Sequence, residues 1–596
     1  MRPTPLALLT ALVLSVPLAP VTQQAIAQQG GKAAHVTASL DKGSAIPLGG
    51  RYLAARIAEA DHDYDSGSEQ LDLALAQNPP DPELIQAAFR LRLYAGRFDG
   101  AVLLAPAVLQ TKPGDGFANL VLTIQQVKRG DYRAAEQQLG HIGNENQLGP
   151  LRDFVVAWLK AGEKDFVAAR QLLDRLKPTG GDRALAPSLI ISAQIDELAG
   201  DKAAAESKYR RALELDPAGL RIAVSAAEGL QRLGKGDDAK KMLKAYGEKF
   251  SESVVMDGML AANAPAPKPP SPASGIAEIM FDIGGILSAD PRNERGDLAL
   301  IFEQFAVELK PDFDFAWFTI GGLDEQFGLP AKAVAALGKV PQSSPLYWQA
   351  RLRMASLDAS EDRFDQAVRR LKLLIAEKPE RIDAALTLAD LLRSKERYPE
   401  AVDAYNVAVS RIKNVDEKYW PVFFGRGIVL ERVKDWPKAE ADMKKALELS
   451  PEQPYVLNYL GYSWIDQGVH LDEGMKMLKR ATELRPDDGA ITDSVGWAYY
   501  RLGQYGQAVD WLERASEQKG DDATVVEHLG DAYWHVGRFR EARFEWTRAL
   551  NQKPEKDRLP VIQDKLANGL NATNDKPTVY EKAPAGNAPD TKKQGG

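Results

Sequence analysis

Apolar and small residues recur along this chain in one phrase: two runs of helical period joined by a short polar turn. Three copies stand out near the C-terminus: LNYLGYSW, ITDSVGWAYYRLGQYGQAVDWLERA and VEHLGDAYWHVGRFREARFEWTRAL. Aligned on the small residue within the first run, Gly427, Gly461, Gly496 and Gly530 lie 34, 35 and 34 residues apart. Ala439, Ala508 and Ala542 follow in the second run, then Ala446, Ala515 and Ala549. In the Gly461 unit one extra residue shifts the frame to Gly474, Ala481 and Pro486. Small residues at these places let antiparallel helices approach closely, and Leu460, Trp464, Tyr499, Leu512, Tyr533 and Trp546 fill the remaining volume. Pro451 and Pro554 stop the second helix of their units.

Carried backward, the frame puts the central residue at Ala55, Phe89, Thr123, Ala157, Ala193, Ala227, Gly284, Gly321, Ala355 and Ala389. That makes 14 candidate units, and eight of the 13 intervals between them are 34 residues, a register chance does not keep. Phe89 and Thr123 break the small-residue rule, so irregular packing is expected there. A 34-residue helix-turn-helix with this pattern of small residues resembles the tetratricopeptide repeat (TPR). The implied fold class is all-α, a right-handed TPR superhelical solenoid of about 14 helix-turn-helix repeats in two blocks. The register breaks between Ala227 and Gly284, where residues 261–274 (AANAPAPKPPSPAS) carry five prolines and read as an extended linker. The expected organisation is a signal peptide at 1–27, a flexible segment at 28–47 and an N-terminal TPR block at 48–250. A Pro-rich linker at 251–274, a C-terminal block at 275–555, a capping helix at 556–570 and a disordered tail at 571–596 complete it.

The N-terminal pattern bears on location. Arg2 precedes the apolar run 6–16, Pro17 and Pro20 break it, and Ala25-Ile26-Ala27 offers small residues for cleavage, as in a secretory signal peptide. The run is shorter than the roughly 20 residues a bilayer requires. The expectation is export to the periplasm of a Gram-negative bacterium, with no transmembrane segment. The sequence of 596 residues contains no cysteine, which excludes disulfides, thiolate nucleophiles, Cys-ligated metals and a lipobox lipid anchor. A net charge of −8 argues against a broad nucleic-acid surface.

Catalytic motifs are missing. There is no H-E-x-x-H, no G-x-S-x-G and no phosphate-binding G-x-x-x-x-G-K-[ST]. S-x-x-K begins at Ser410 and at Ser516, without the companion motifs of a serine acyl-transfer site. His528 and His535 are seven residues apart, outside the usual spacing of a metal pair, and read as groove-lining. The protein is therefore expected to be non-enzymatic, with neither cofactor nor metal.

Tryptophan is more informative: seven of ten lie between Trp420 and Trp546. Trp464 and Trp546 occupy packing positions. The concave groove of such an array is lined by the first helix of each pair. This selects Tyr455, Asn458, Tyr462, Ile465 and Asp466 in the Gly461 unit, and Ala490, Asp493, Trp497, Tyr500 and Arg501 in the Gly496 unit. In the Gly530 unit it selects Thr524, Glu527, Asp531, Trp534 and His535. Aromatic anchors ringed by polar groups suit a protein-binding hot spot. The set is acidic and aromatic, so a partner with basic residues fits it better than a carboxylate terminus.

Three stretches are more particular: RYLAARIAEADHDYDSGSEQLDLALAQNPPDPELIQAAFRLRLYAGRFDGAV, then GIAEIMFDIGGIL with DLALIFEQFAVELKPDFDFAWFTIGGLDEQFG, and residues 454–550. Together they resemble the long exported TPR proteins of Gram-negative envelopes. One branch of these is an outer-membrane lipoprotein that binds a carboxyl-terminal processing protease and presents cell-wall hydrolases to it. The resemblance implies a scaffold or adaptor with protein partners, including a periplasmic protease and its substrates. The lipidated cysteine of that branch has no counterpart here. A regulatory subunit or enzyme of cell-wall metabolism, or a self-assembling structural solenoid, is the alternative.

Overall fold

The computed structural model describes residues 47–77, 81–142, 152–176, 185–250, 256–261, 264–288 and 296–575. The expected signal peptide, nearly all of the flexible segment and the tail beyond 575 lie outside the described residues. Among those described there are 30 α-helices and no strand. Each of the fourteen central residues falls in the first helix of a pair, from Leu48–Ala60 with Tyr64–Gln77 to Ala523–His535 with Phe539–Asn551. The remaining two helices are Asp257–Leu260 and Arg558–Asn568. The chain is an all-α helical-repeat solenoid.

The turn inside each pair explains the regularity. In the thirteen pairs whose turn is described, a residue there takes positive φ: glycine at 96, 130, 200, 234, 328, 468, 503 and 537, and His62, Lys164, Asp362, Glu396 or Lys434 elsewhere, with His470 joining Gly468. A left-handed residue ends the first helix, and an aspartate often starts the second. Asp131, Asp165 and Asp201 accept from the N–H groups of Ala134, Ala168 and Ala204 at 3.0, 3.0 and 3.2 Å.

The chain forms two compact units, residues 1–370 and 371–596. The sequence instead places the division in the Pro-rich stretch 251–274. That stretch does not divide the first unit, because it ends by starting a helix. Ser271 Oγ accepts from the Ser274 N–H at 3.1 Å, and Ser274 Oγ accepts from the Ser271 N–H at 2.9 Å. This is a reciprocal cap, with Pro272 at the first helical position where its missing N–H costs nothing. The helix Pro272–Ser288 and its partner Gly296–Leu309 are apolar around most of their surfaces, burying nine and ten residues respectively.

This hairpin packs against the first helices of earlier repeats, Pro82–Tyr94, Gly116–Arg129 and Arg152–Gly162. Phe117 meets Phe302 at 5.9 Å, Phe98 meets Phe305 at 6.3 Å, and Lys128 pairs with Glu308. Trp158 is fully buried against Gly275, where any side chain would collide with the indole. The Thr123 unit, expected to pack irregularly, presents Leu120, Ile124 and Val127 to the same apolar cluster as Ile276, Met280 and Phe302. Its larger residues have a partner: the hairpin.

The second unit stacks the pairs from Asp383–Ser394 to Phe539–Asn551, with successive first helices in contact. Trp464 and Trp546 are buried in its core.

Candidate functional site

The sequence-selected residues of the second unit fall into two groups. On the helix Pro454–Asp466, Tyr455 is exposed, and Asn458, Tyr462 and Asp466 are half-buried. Arg485 lies over the Tyr455 ring at 5.8 Å, and the buried Oδ1 of Asn458 has no hydrogen-bond partner. Phe424 and Ile428 on Trp420–Arg432 continue this accessible stretch, with Phe424 edge-on to Tyr459 at 5.8 Å.

The second group departs from expectation. Asp493, Trp497, Tyr500, Arg501, Glu527 and Asp531 are all buried. The helix Gly489–Arg501 starts at Asp488, which accepts from Ala490 and Ile491 N–H, and it is buried on nearly every side. Trp497 is sandwiched between His528, at 3.8 Å, and Tyr500, at 4.5 Å. Nδ1 of His528 lies 3.0 Å from both carboxylate oxygens of Asp493. Arg501 donates to the Asp466 carbonyl at 3.0 Å. Trp534, half-buried, packs on Phe539 and Trp546 instead of standing free as an anchor.

The chain's own C-terminal segment covers this face. Helix Arg558–Asn568 carries Arg558, Ile562 and Lys565 on one side, at the i, i+4, i+7 spacing of a single helical face. Lys565 is almost fully buried, with Nζ 2.7 Å from Glu527 and 2.6 Å from Asp531, and Arg558 pairs with Glu527 as well. Asp531 also accepts from Trp546 Nε1 at 2.8 Å. The helix ends at Gly569, whose positive φ turns the chain back against the Trp534 ring. Asp575 then accepts from Tyr500 and lies 3.0 Å from His535 Nε2, whose ring stacks on Tyr505 at 4.0 Å.

The electrostatics follow. Burial opposes charge on Glu527, yet Lys565 and Arg558 hold its carboxyl below the usual range. Burial pushes Asp531 up against the pull of Lys565. Burial also opposes charge on Asp575, but its bonds from His535 and Tyr500 keep it low. Burial raises the Tyr500 hydroxyl, which therefore stays protonated and donates. The face is built to receive cations. Here Arg558 and Lys565 of the same chain supply the cations opposite Glu527 and Asp531.

Sequence reasoning missed Arg558, Lys565 and Asp575. The signal was the cation–apolar–cation face on a segment read only as a cap, together with residues 571–575, read as the start of a disordered tail. Among the described residues, no group of three or more His, Asp or Glu side chains is placed to hold a metal ion. Nor is any helix long and apolar enough to cross a membrane.

Two segments, 349–416 and 494–556, match the family described as Tetratricopeptide repeat. A TPR repeat-containing protein of Pseudomonas aeruginosa is 28% identical over 200 residues, covering 33% of this chain and 32% of that protein. The E3 ubiquitin-protein ligase CHIP of Arabidopsis thaliana is 34% identical over 90 residues, covering 15% of this chain and 31% of that protein. The chain thus spans about a third of the length of these curated relatives. Among solved structures, the APC/C hetero-tetramer Cut9-Hcn1 is similar over 83% of this chain and 97% of its own, at 15% identity and a TM-score of 0.35. A tetratricopeptide repeat protein from Parabacteroides merdae is similar over 42% of this chain and 96% of its own, at 14% identity and a TM-score of 0.36. The two matched segments are tetratricopeptide repeats, and most other described helix pairs keep the same small-residue register.

Proposed function

We propose that this protein is an exported, non-enzymatic scaffold of the Gram-negative periplasm that holds protein partners on its repeats and presents substrates to an envelope protease. The observation that carries the binding role is the accessible aromatic and polar stretch of the second unit. There Tyr455 is exposed, and Phe424, Ile428, Asn458 and Tyr462 are half-buried. Accessible aromatic rings beside polar side chains favour a partner that supplies contact area with a polar rim. The charged, apolar and small-residue pattern of the first 27 residues supports export. The likeness of the three long stretches to envelope TPR adaptors supports the link to a protease.

The test is affinity capture from the envelope fraction followed by mass spectrometry, with Phe424→Ala/Tyr455→Ala as control. Capture of a protease and its substrates by the wild-type chain, lost in the variant, is the expected result. Purified protein that degrades casein or peptidoglycan unaided would overturn the scaffold reading. Recovery of the protein from the cytoplasmic fraction would overturn the assignment to the periplasm.

A further inference from the structure

We infer that the face formed by Tyr500, Glu527, Asp531 and His535 is a recognition site for an amphipathic protein segment that presents two cations on one helical face. Residues 558–575 occupy it in cis as a displaceable stand-in. The inference rests on the protein-binding reading of the repeats and names the chemistry of one partner class.

Two covering elements in this chain differ in kind. The hairpin Pro272–Ser288/Gly296–Leu309 buries nine and ten residues, mostly apolar, and so belongs permanently to its core. The helix Arg558–Asn568 buries only Ile562 and Lys565. Leu566 and Leu570 are partly covered, and Leu559, Pro560, Gln563, Ala567 and Asn568 face solvent. Its hold comes from cations on carboxylates, Arg558 and Lys565 on Glu527 and Asp531, and from the terminal bonds of Asp575.

A helix that only sealed the end of the array would turn apolar groups inward and charges outward. This one turns a lysine inward onto two carboxylates. Buried charge pairs define register and partner more than they add stability, because desolvation offsets most of their attraction. A segment held mainly by such pairs exchanges for another with the same charges at the same spacing. The bound segment supplies the template: a cation, an apolar residue four positions on, and a second cation three beyond that, on one helical face. Release would uncover Tyr500 and His535 beside the carboxylates of Glu527 and Asp531.

The probe is a fluorescein-labelled peptide of the sequence KDRLPVIQDKLANGLNATND, residues 556–575. Anisotropy would be measured with the full chain and with a full-length Arg558→Gln/Lys565→Gln variant. The wild-type chain should bind weakly, and the variant at least tenfold more tightly. That gain should vanish when Glu527→Gln and Asp531→Asn are added. A folded variant that fails to bind the peptide would overturn the inference and assign the segment a purely capping role. Hydrogen exchange on the wild-type chain keeps the question open to refutation if the variant misfolds. Amides of Arg558–Asn568 should exchange through local opening, well before those of Gly489–Arg501. Exchange of both only through global unfolding would overturn the inference. Envelope capture that succeeds while the peptide fails would leave the scaffold reading standing and remove this site from it.

Discussion

At the scale of single residues, the most consequential group is Glu303. It is fully buried in the first unit, and neither carboxylate oxygen has a hydrogen-bond partner among the described residues. Burial, with Asp282 nearby, pushes its carboxyl well above the usual range. Asp282, largely but not fully covered and 2.6 Å from Arg221, is pushed up to about 6 by burial in spite of that guanidinium. The sign is the reverse of the ordinary carboxylate case. The folded state holds these protons more tightly than the unfolded chain, so stability is full below about pH 4 and declines as pH rises through the folded-state values. Glu303→Gln removes one proton from this linkage. At pH 5 it should differ little from wild type. Above that it should gain about 1.4 kcal/mol per pH unit, until the native carboxyl ionises. Urea midpoints at pH 5, 6 and 7 check this, and parallel curves for the two proteins would refute it. The turn residues supply a second case. Lys434 holds positive φ where most repeats have glycine, so Lys434→Gly should stabilise the second unit by roughly 0.5–1 kcal/mol in thermal unfolding.

At the scale of elements, the hairpin depends on a serine cap and a glycine. Ser271→Ala should cost about 1 kcal/mol by removing one side of the reciprocal cap. Gly275→Leu should cost more, since its side chain must displace Trp158. Thermal unfolding read by far-UV ellipticity orders the two, and equal losses would count against the close contact at 275. The repeat register was readable in sequence because small residues at helical crossings are a local requirement, repeated every 34 residues or so. The hairpin's placement was not readable. Pro272 reads as a breaker unless Ser271 and Ser274 are recognised as a cap around it. Nothing local says that Phe302 will meet Phe117, 185 positions earlier in the chain. The face beneath the C-terminal helix was half readable. First-helix position places Asp493, Trp497, Tyr500, Glu527 and Asp531 in a groove open to a partner, and the structure buries them. Their occupant came from a segment whose fit depends on Lys565 finding Glu527 and Asp531 across 38 and 34 residues.

At the scale of the whole molecule, the raised carboxylates are unevenly distributed. Glu303, Asp282, Asp324, Glu228 and Asp314 lie in the first unit, Asp324 also pushed to about 6 by burial, against Asp531 and Glu545 in the second. Seven of the ten tryptophans lie in the second. Urea unfolding at pH 8 should therefore be non-coincident, with ellipticity lost before tryptophan emission shifts. The two curves should draw together at pH 5. Coincident curves at both values would show that the two units unfold as one.

The hairpin also changes the order of events in time. An array of repeats forms from near neighbours, so each pair can settle as soon as its successor exists. The first unit cannot finish that way. Tyr64 pairs with Asp297 across 233 residues and Lys128 with Glu308 across 180, and the apolar side of the early helices stays wet until those partners arrive. Closing such distances slows folding and lengthens the interval in which Phe117, Ile124 and Trp158 can meet the wrong neighbour. A chain with the local grammar of a fast-folding array thus carries the kinetic exposure of a much less local fold.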